Sequence, residues 1–427
     1  MPLTALPREK AVLVGVEWTA RQPRAGASEF GLDEAMTELA ELARGAGAEI
    51  VGRLEQRRPA PDPATLIGSG KLAELEQNVA AGAANLVIFD SELSPTQQRN
   101  LERALDARVI DRTQLILDTF ARHARTREGQ LQVELAQLEY RLPRLAGRGV
   151  ELSRLGGGIG TRGPGETQLE SDRRRIHKRI RHLRALLEEV RLHRQQQRQK
   201  REAVPLATAA LVGYTNAGKS SLFNRLTAAG VLTSPRMFAT LDPTIRALDL
   251  PSRRRILLSD TVGFLRHLPH GLISAFRATL EEVRRASLLL HVFDAASPHR
   301  EEYVRQVRLV LAELGVANTP EILVANKSDL LSADEAARRS AHAGDALVVS
   351  ATTGSGVASL TARLDRDLPL DPLRHVRLHL PHAEGKLLHM LYERGEVLSE
   401  SHDGQGVALE ARLPDSLWRD IEPFVVG

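Results

Sequence analysis

The chain has 427 residues, 42% hydrophobic but only 4% aromatic, so it is long enough for roughly two to four domains with cores of Leu, Val, Ile and Ala. Its 58 Lys and Arg against 54 Asp and Glu leave a formal charge of +4, so the distribution of charge matters more than its sum. The absence of cysteine excludes disulfides, thiolate metal sites and Cys nucleophiles, and no stretch approaches the ~18 uninterrupted apolar residues of a membrane span. No secretory signal is read at the start, and a cytoplasmic location is expected.

In chain order, Val12–Val16 reads as a buried strand. Leu32, Ala35, Met36, Leu39, Ala40, Leu42 and Ala43 then recur at helical spacing. Strands over 48–52, 85–89 and 108–110 alternate with helices over 72–80 and from Pro95 to Leu105, the last started by Ser94 before Pro95. That alternation predicts a mainly parallel sheet. The stretch from Arg112 to Leu145 reads as one long helix, followed by a glycine-dense loop from Gly147 to Gly165 and a second long helix from Glu166 to Glu202. Together they suggest an antiparallel hairpin. Its second arm carries 12 Lys or Arg against 2 Glu between Arg173 and Arg201. An α/β pattern fills 206–370, and a small α/β appendage follows Pro372. The expected division is 1–111, an N-terminal α/β domain; 112–204, the helical hairpin; 205–370, an α/β nucleotide domain; and 371–427, the appendage.

Gly213-Tyr214-Thr215-Asn216-Ala217-Gly218-Lys219-Ser220 fits Gly-x-x-x-x-Gly-Lys-Ser after an apolar strand, and Ser221 continues into a helix. Such a loop points successive backbone N–H groups at phosphate oxygens and adds the positive end of a helix dipole. Lys219 is placed to neutralise the β- and γ-phosphates, and the Ser220 hydroxyl to ligate Mg²⁺. The bland alternative is a chance Gly/Lys loop, and the loop alone does not choose between ATP and GTP.

The motifs that follow make the choice. Asn326-Lys327-Ser328-Asp329 ends an apolar strand. The Asp329 carboxylate can accept from the guanine N1–H and exocyclic amine, a pair of donors that adenine does not offer. Lys327 can lie along the base plane, Asn326 can brace the phosphate loop, and Ser350-Ala351-Thr352 can offer the Ala351 N–H to the guanine carbonyl. Asp260-Thr261-Val262-Gly263 supplies an Asp-x-x-Gly element: Asp260 to hold Mg²⁺ through water, the Gly263 N–H to sense the γ-phosphate. Between the phosphate loop and Asp260, Phe238-Ala239-Thr240-Leu241-Asp242 is expected to close on the nucleotide. Thr240 is the preferred second Mg²⁺ ligand and Thr244 the runner-up, since spacing does not decide between them. Lys219, Thr240 and Gly263 are the candidate catalytic groups of a GTP-hydrolysing switch. Phe264 stands where Ras-like proteins place a water-orienting Gln, so hydrolysis needs help from a partner or from K⁺ held through Asn216. For Asn216 the plain alternative is a hydrogen bond within its own loop.

These segments, with Leu152–Glu170 and Arg125–Tyr140, resemble the HflX family of the Obg–HflX group over nearly the whole chain. The resemblance implies a P-loop GTPase that binds GTP and GDP with Mg²⁺ and associates with the large (50S) ribosomal subunit and its rRNA, acting in ribosome splitting, recycling or rescue. Regulation of another RNA-related partner and ATP-dependent RNA remodelling by the N-terminal domain are the alternatives. No DNA partner and no membrane span are expected; a monomer is favoured and a dimer left open. Ile67-Gly68-Ser69-Gly70-Lys71 lacks the first loop glycine, since Thr65 stands there, and reads as a turn before a helix. His177, His182 and His193 read as surface residues.

Overall fold

The structure is a computed structural model that describes residues 9–19, 31–147, 164–201, 207–228, 244–252, 254–265, 277–332, 335, 345–368, 373–414 and 417–426. Strands β1 (Lys10–Trp18), β2 (Glu49–Arg58), β3 (Leu86–Phe89) and β4 (Arg108–Asp111) form a parallel sheet in the order β2-β1-β3-β4. β1 is buried without interruption from Ala11 to Val16, as a strand covered on both faces must be. Helices α1 (Leu32–Gly45) and α4 (Arg112–His123) meet Ala11 and Leu13; α2 (Ser69–Ala81) and α3 (Pro95–Leu105) meet Val12 and Val14. α3 starts on a capping box: the Gln97 N–H donates to Ser94 Oγ at 3.2 Å, and the Ser94 N–H donates to Gln97 Oε1 at 2.9 Å.

The single helix expected from Arg112 to Leu145 is broken. Ala124 is extended, and Thr126 starts α5 (Arg127–Arg141) by accepting from the Gly129 N–H at 3.0 Å. Helix propensity runs on through this stretch, but a cap worth about 1 kcal/mol and the pull of the core decide otherwise. α4 turns inward and buries Leu115, Ile116, Leu117 and Phe120, each worth about 1.5–3 kcal/mol of transfer free energy. At the start of α4, Asp111 is fully buried and accepts from the Leu93 and Gln114 N–H groups, the Tyr140 hydroxyl and Arg144 Nη2. α5 lies beside α6 (Pro164–Arg201). Arg179 makes a bidentate pair with Glu134 at 2.7 and 2.8 Å, Arg184 meets Glu139 at 2.7 Å, and Ile180 and Leu183 are buried. The glycine-rich tip expected between these helices lies outside the described residues, apart from Gly147, Pro164 and Gly165.

A second sheet has six strands in the order β10-β9-β8-β5-β7-β6: β5 (Thr208–Gly213), β6 (Thr244–Asp249), β7 (Arg255–Asp260), β8 (Leu288–Asp294), β9 (Glu321–Asn326) and β10 (Leu347–Val348). Only β6 runs antiparallel. Among the described residues this unit also has helices α7 (Lys219–Thr227), α8 (Arg277–Arg285), α9 (Arg300–Glu313) and α10 (Val357–Asp367). The apolar cluster on the α1/α4 face is shared with it: Met36, Leu39 and Phe120 belong to the same cluster as Val212, Tyr214, Phe264, Leu265 and Val307. The last unit is an antiparallel sheet of β11 (Leu373–Pro381), β13 (Gly406–Pro414) and β12 (Glu396–His402), with α11 (Gly385–Arg394) packed on it through Leu387 and Leu391.

Candidate nucleotide site

The carboxyl ends of β5, β7, β8 and β9 and the turn after β10 gather Gly213–Ser220, Asp260–Gly263, Asp294, Asn326–Asp329 and Ser350–Thr352. Ligands of open α/β sheets bind at such strand ends. Gly218 leads into α7 at φ +87°, and a Cβ there would stand 2.3 Å from Asn326 Nδ2, so the loop can follow this path only with glycine. Asn216 also has positive φ, 60°, and is exposed. The N–H groups opening α7 thus sit at the end of a tight loop, where an anion is favoured.

Lys219 is 6% exposed, with Nζ donating to the carbonyls of Gly213 at 3.1 Å and Tyr214 at 2.8 Å. Burial pushes its ammonium down to about 8, against the opposing pull of the Asp260 charge. Negative phosphate oxygens beside it would favour the charged form. Ser220 Oγ donates to Asp260 Oδ2 at 2.6 Å, and Asp260 is fully buried. Thr261 Oγ1 donates to the Leu211 carbonyl at 2.5 Å, while Val262 packs in the apolar cluster. Thr215 Oγ1 is buried without a hydrogen-bond partner among the described residues. Phe264 is 4% exposed, and its backbone laces this segment to the loop: its N–H donates to Gly213 O at 3.0 Å, and the Thr215 N–H donates to its carbonyl at 2.9 Å.

At the other end, Asn326 Nδ2 donates to the carbonyls of Ala217 at 3.0 Å and Gly218 at 3.4 Å, and its Oδ1 accepts from the Ala351 N–H at 3.0 Å. The Ala351 N–H expected to meet the guanine carbonyl is therefore already engaged with Asn326. Asp329 accepts from Ser350 Oγ at 2.5 Å, which fixes one carboxylate oxygen, and the Ser328 N–H donates to Val349 O at 3.2 Å. Phe238, Ala239, Thr240, Leu241 and Asp242 lie outside the described residues; Thr244 opens β6 opposite Asp260.

Two residues here carry no sequence motif. Asp294, at the end of β8, pairs with Lys327 Nζ at 2.8 Å and so orients the lysine. Arg225, in the last turn of α7, donates to the carbonyls of Ala351 at 3.2 Å and Thr352 at 2.7 Å, tying the turn after β10 to α7. In the first unit, Ser69 begins α2, the Gly68 N–H donates to Gln56 Oε1 at 3.1 Å, and Lys71 pairs with Glu74 at 2.8 Å. His177 and His182 are exposed on α6. Among the described residues no group of three or more His, Asp or Glu could hold a metal ion, and no helix is long and apolar enough to cross a membrane.

This sheet with this loop defines a P-loop GTPase. Residues 33–121 match the family described as the GTP-binding GTPase N-terminal region, 123–201 its middle region, and 208–327 the 50S ribosome-binding GTPase family. The GTPase HflX of Caldanaerobacter subterraneus is 47% identical over 395 residues, covering 92% of this chain and 91% of that protein. That of Escherichia coli is 44% identical over 424 residues, covering 98% and 97%. A solved GTP-binding protein of Sulfolobus solfataricus in complex with GDP is 24% identical at a TM-score of 0.43, covering 84% of this chain and 98% of that one. The chain belongs to the HflX family of GTPases.

Proposed function

We propose that the protein is a cytoplasmic switch that, with GTP bound, docks on the large ribosomal subunit through its basic α6 arm and acts in ribosome splitting, recycling or rescue. The observation that carries this is the charge on α6. Arg173, Arg174, Arg175, Lys178 and Arg181 are exposed; Arg174 and Arg175 pair with Glu170 and Asp172 of the same helix at 2.8 and 3.7 Å, exposed pairs that phosphates can compete for. A helix face of this kind suits rRNA phosphates, and each contact adds to the salt dependence of binding. The test is co-sedimentation of the full chain with purified 50S particles. A non-hydrolysable GTP analogue should drive it into the pellet and GDP should not, and Arg173→Glu/Arg174→Glu/Arg175→Glu should weaken pelleting while GDP affinity stays unchanged. Equal pelleting in both nucleotide states would turn the reading towards another RNA-related partner.

In the nucleotide site, Lys219 and the N–H groups at the start of α7 bind the phosphates, and Asp329 selects guanine. Ser220 Oγ and the buried Asp260 carboxylate lie 2.6 Å apart, oxygen groups that fit Mg²⁺: Ser220 would ligate it and Asp260 would hold it through water. When bound, Mg²⁺ offsets the charge that develops on the β- and γ-phosphate oxygens. Thr240, or Thr244 in its place, would add a second side-chain ligand, and the Gly263 N–H would bond the γ-phosphate. K⁺ at Asn216 would supply positive charge that the Phe264 position cannot replace. GTP turnover should then be several-fold faster in KCl than in NaCl at equal ionic strength, and equal rates would leave Asn216 as a loop hydrogen-bonder.

A further inference from the structure

The residue after Gly213 reaches out of the nucleotide unit. Tyr214 is 6% exposed, and its hydroxyl donates to Glu38 Oε1 of α1 at 2.6 Å. Its ring stacks on Tyr303 of α9, 4.3 Å between centroids and 28° between planes. Glu38 is itself held: its second oxygen accepts from Arg112 Nη2 at 2.7 Å, and Arg112 Nη1 donates to Asp90 Oδ1 at 2.9 Å. The side chains of Arg112, Glu38 and Asp90 are 4%, 11% and 12% exposed, so the network sits largely out of water, where charge-assisted hydrogen bonds are strong and moving one member disturbs the rest. Burial opposes the Arg112 charge, but the Glu38 and Asp90 carboxylates outweigh it and hold the guanidinium pKa above its ordinary value. One turn earlier on α1, Glu34 meets His299 Nε2 at 2.5 Å, a second tether between the same two units.

Through its backbone, Tyr214 belongs to the phosphate loop. Its carbonyl accepts from Lys219 Nζ at 2.8 Å, and it bridges Phe264 in parallel fashion. A short chain of contacts thus runs from the Glu38 carboxylate through the Tyr214 side chain and carbonyl to the Lys219 amine.

We propose that Glu38, on the N-terminal unit, is a positioning residue for nucleotide binding. Acting through the Tyr214 hydroxyl, it fixes the start of the phosphate loop and the 260–264 segment bonded to it. A loop held in its binding shape beforehand loses less freedom when nucleotide arrives, so the link works on affinity more than on the chemical step. The inference rests on the assignment of residues 213–220 as the phosphate site.

The test uses the full chain as wild type, Tyr214→Phe, Glu38→Ala, the double variant and Glu38→Gln. It measures KM and kcat for GTP, the Kd of a fluorescent GDP analogue, and Tm. Tyr214→Phe and Glu38→Ala should each raise KM and Kd at least about fivefold, with kcat within about twofold of wild type. The double variant should be no worse than the weaker single variant, because both cut the same link. Glu38→Gln keeps an acceptor for the hydroxyl and should recover most of the affinity. Tyr214→Phe preserves the ring and its stacking on Tyr303, so it decides the matter if Glu38→Ala folds poorly. Wild-type KM and Kd in Tyr214→Phe, or losses that simply add in the double variant, would overturn the proposal. Lys219→Ala separates the two levels: GDP binding that survives it would discard the phosphate-site assignment, whereas its loss alongside a silent Tyr214→Phe would discard only the role of Glu38.

Discussion

Replacing Asp329 by Asn is expected to weaken GTP binding by about 10²–10³-fold and to shift preference towards xanthosine triphosphate. The carboxylate is pinned by Ser350 Oγ at 2.5 Å, on a turn anchored by the Ser328 N–H to Val349 O and by Arg225 to the carbonyls of Ala351 and Thr352. It therefore cannot easily swing away to spare a mismatch. An Asn amide can still accept from the guanine N1–H, but its own N–H₂ would face the exocyclic amine, donor against donor. In xanthine a carbonyl takes the place of that amine and accepts. Displacement of a fluorescent GDP analogue by GTP and by xanthosine triphosphate measures both affinities. Wild-type GTP affinity in the variant would mean that Asp329 does not contact the base.

Gly263→Ala is expected to slow GTP hydrolysis by about 10²–10³-fold, comparable to losing one donor aimed at developing charge, while GDP affinity changes only a few-fold. A Cβ at this position would lie 2.8 Å from both Thr215 Cα and Thr215 Cγ2 and 3.0 Å from Lys219 Nζ. Backbone on one side and a buried amine on the other leave no room, so the 260–264 segment must back away. The Phe264 bonds to Gly213 and Thr215 would stretch first. In the proposed site the grip on GDP would come from residues 213–220 and Asp329, outside the segment that moves. Single-turnover hydrolysis beside GDP titration checks the split; a rate within about threefold of wild type would show that Gly263 need not approach the loop.

The runs at 213–220, 260–263 and 326–329 were legible as motifs in the sequence because each is short and sits at a strand end, where residue identity and position are both constrained. Asp294 and Arg225 were not, because each acts on a motif from a neighbouring strand or helix and has no pattern of its own. Glu38 was hidden for a related reason: on α1 it falls off the apolar stripe of Met36, Leu39 and Ala43 and looks like an ordinary solvent-facing carboxylate. The expected strand over 48–52 extends as β2 to Arg58 because an edge strand is paired on one side only and keeps polar residues such as Arg53 and Gln56 in the ladder. The strands of the first sheet were readable because parallel strands covered on both faces need continuous apolar runs. The break at Ala124–Thr126 was not readable, because two helices of good propensity are separated by a single capping threonine.

The apolar cluster that runs from α1 and α4 into β5 and α9 has a thermodynamic consequence. Neither sheet owns a private interior on that side, so wetting one half strips the other of its partners. Heat or denaturant should melt the N-terminal and nucleotide-handling halves in one cooperative step, and amide exchange in β1 and β5 should report the same opening. A fragment cut near 205 would leave Tyr214, Phe264 and Tyr303 facing water and would be prone to aggregate, however complete its motifs.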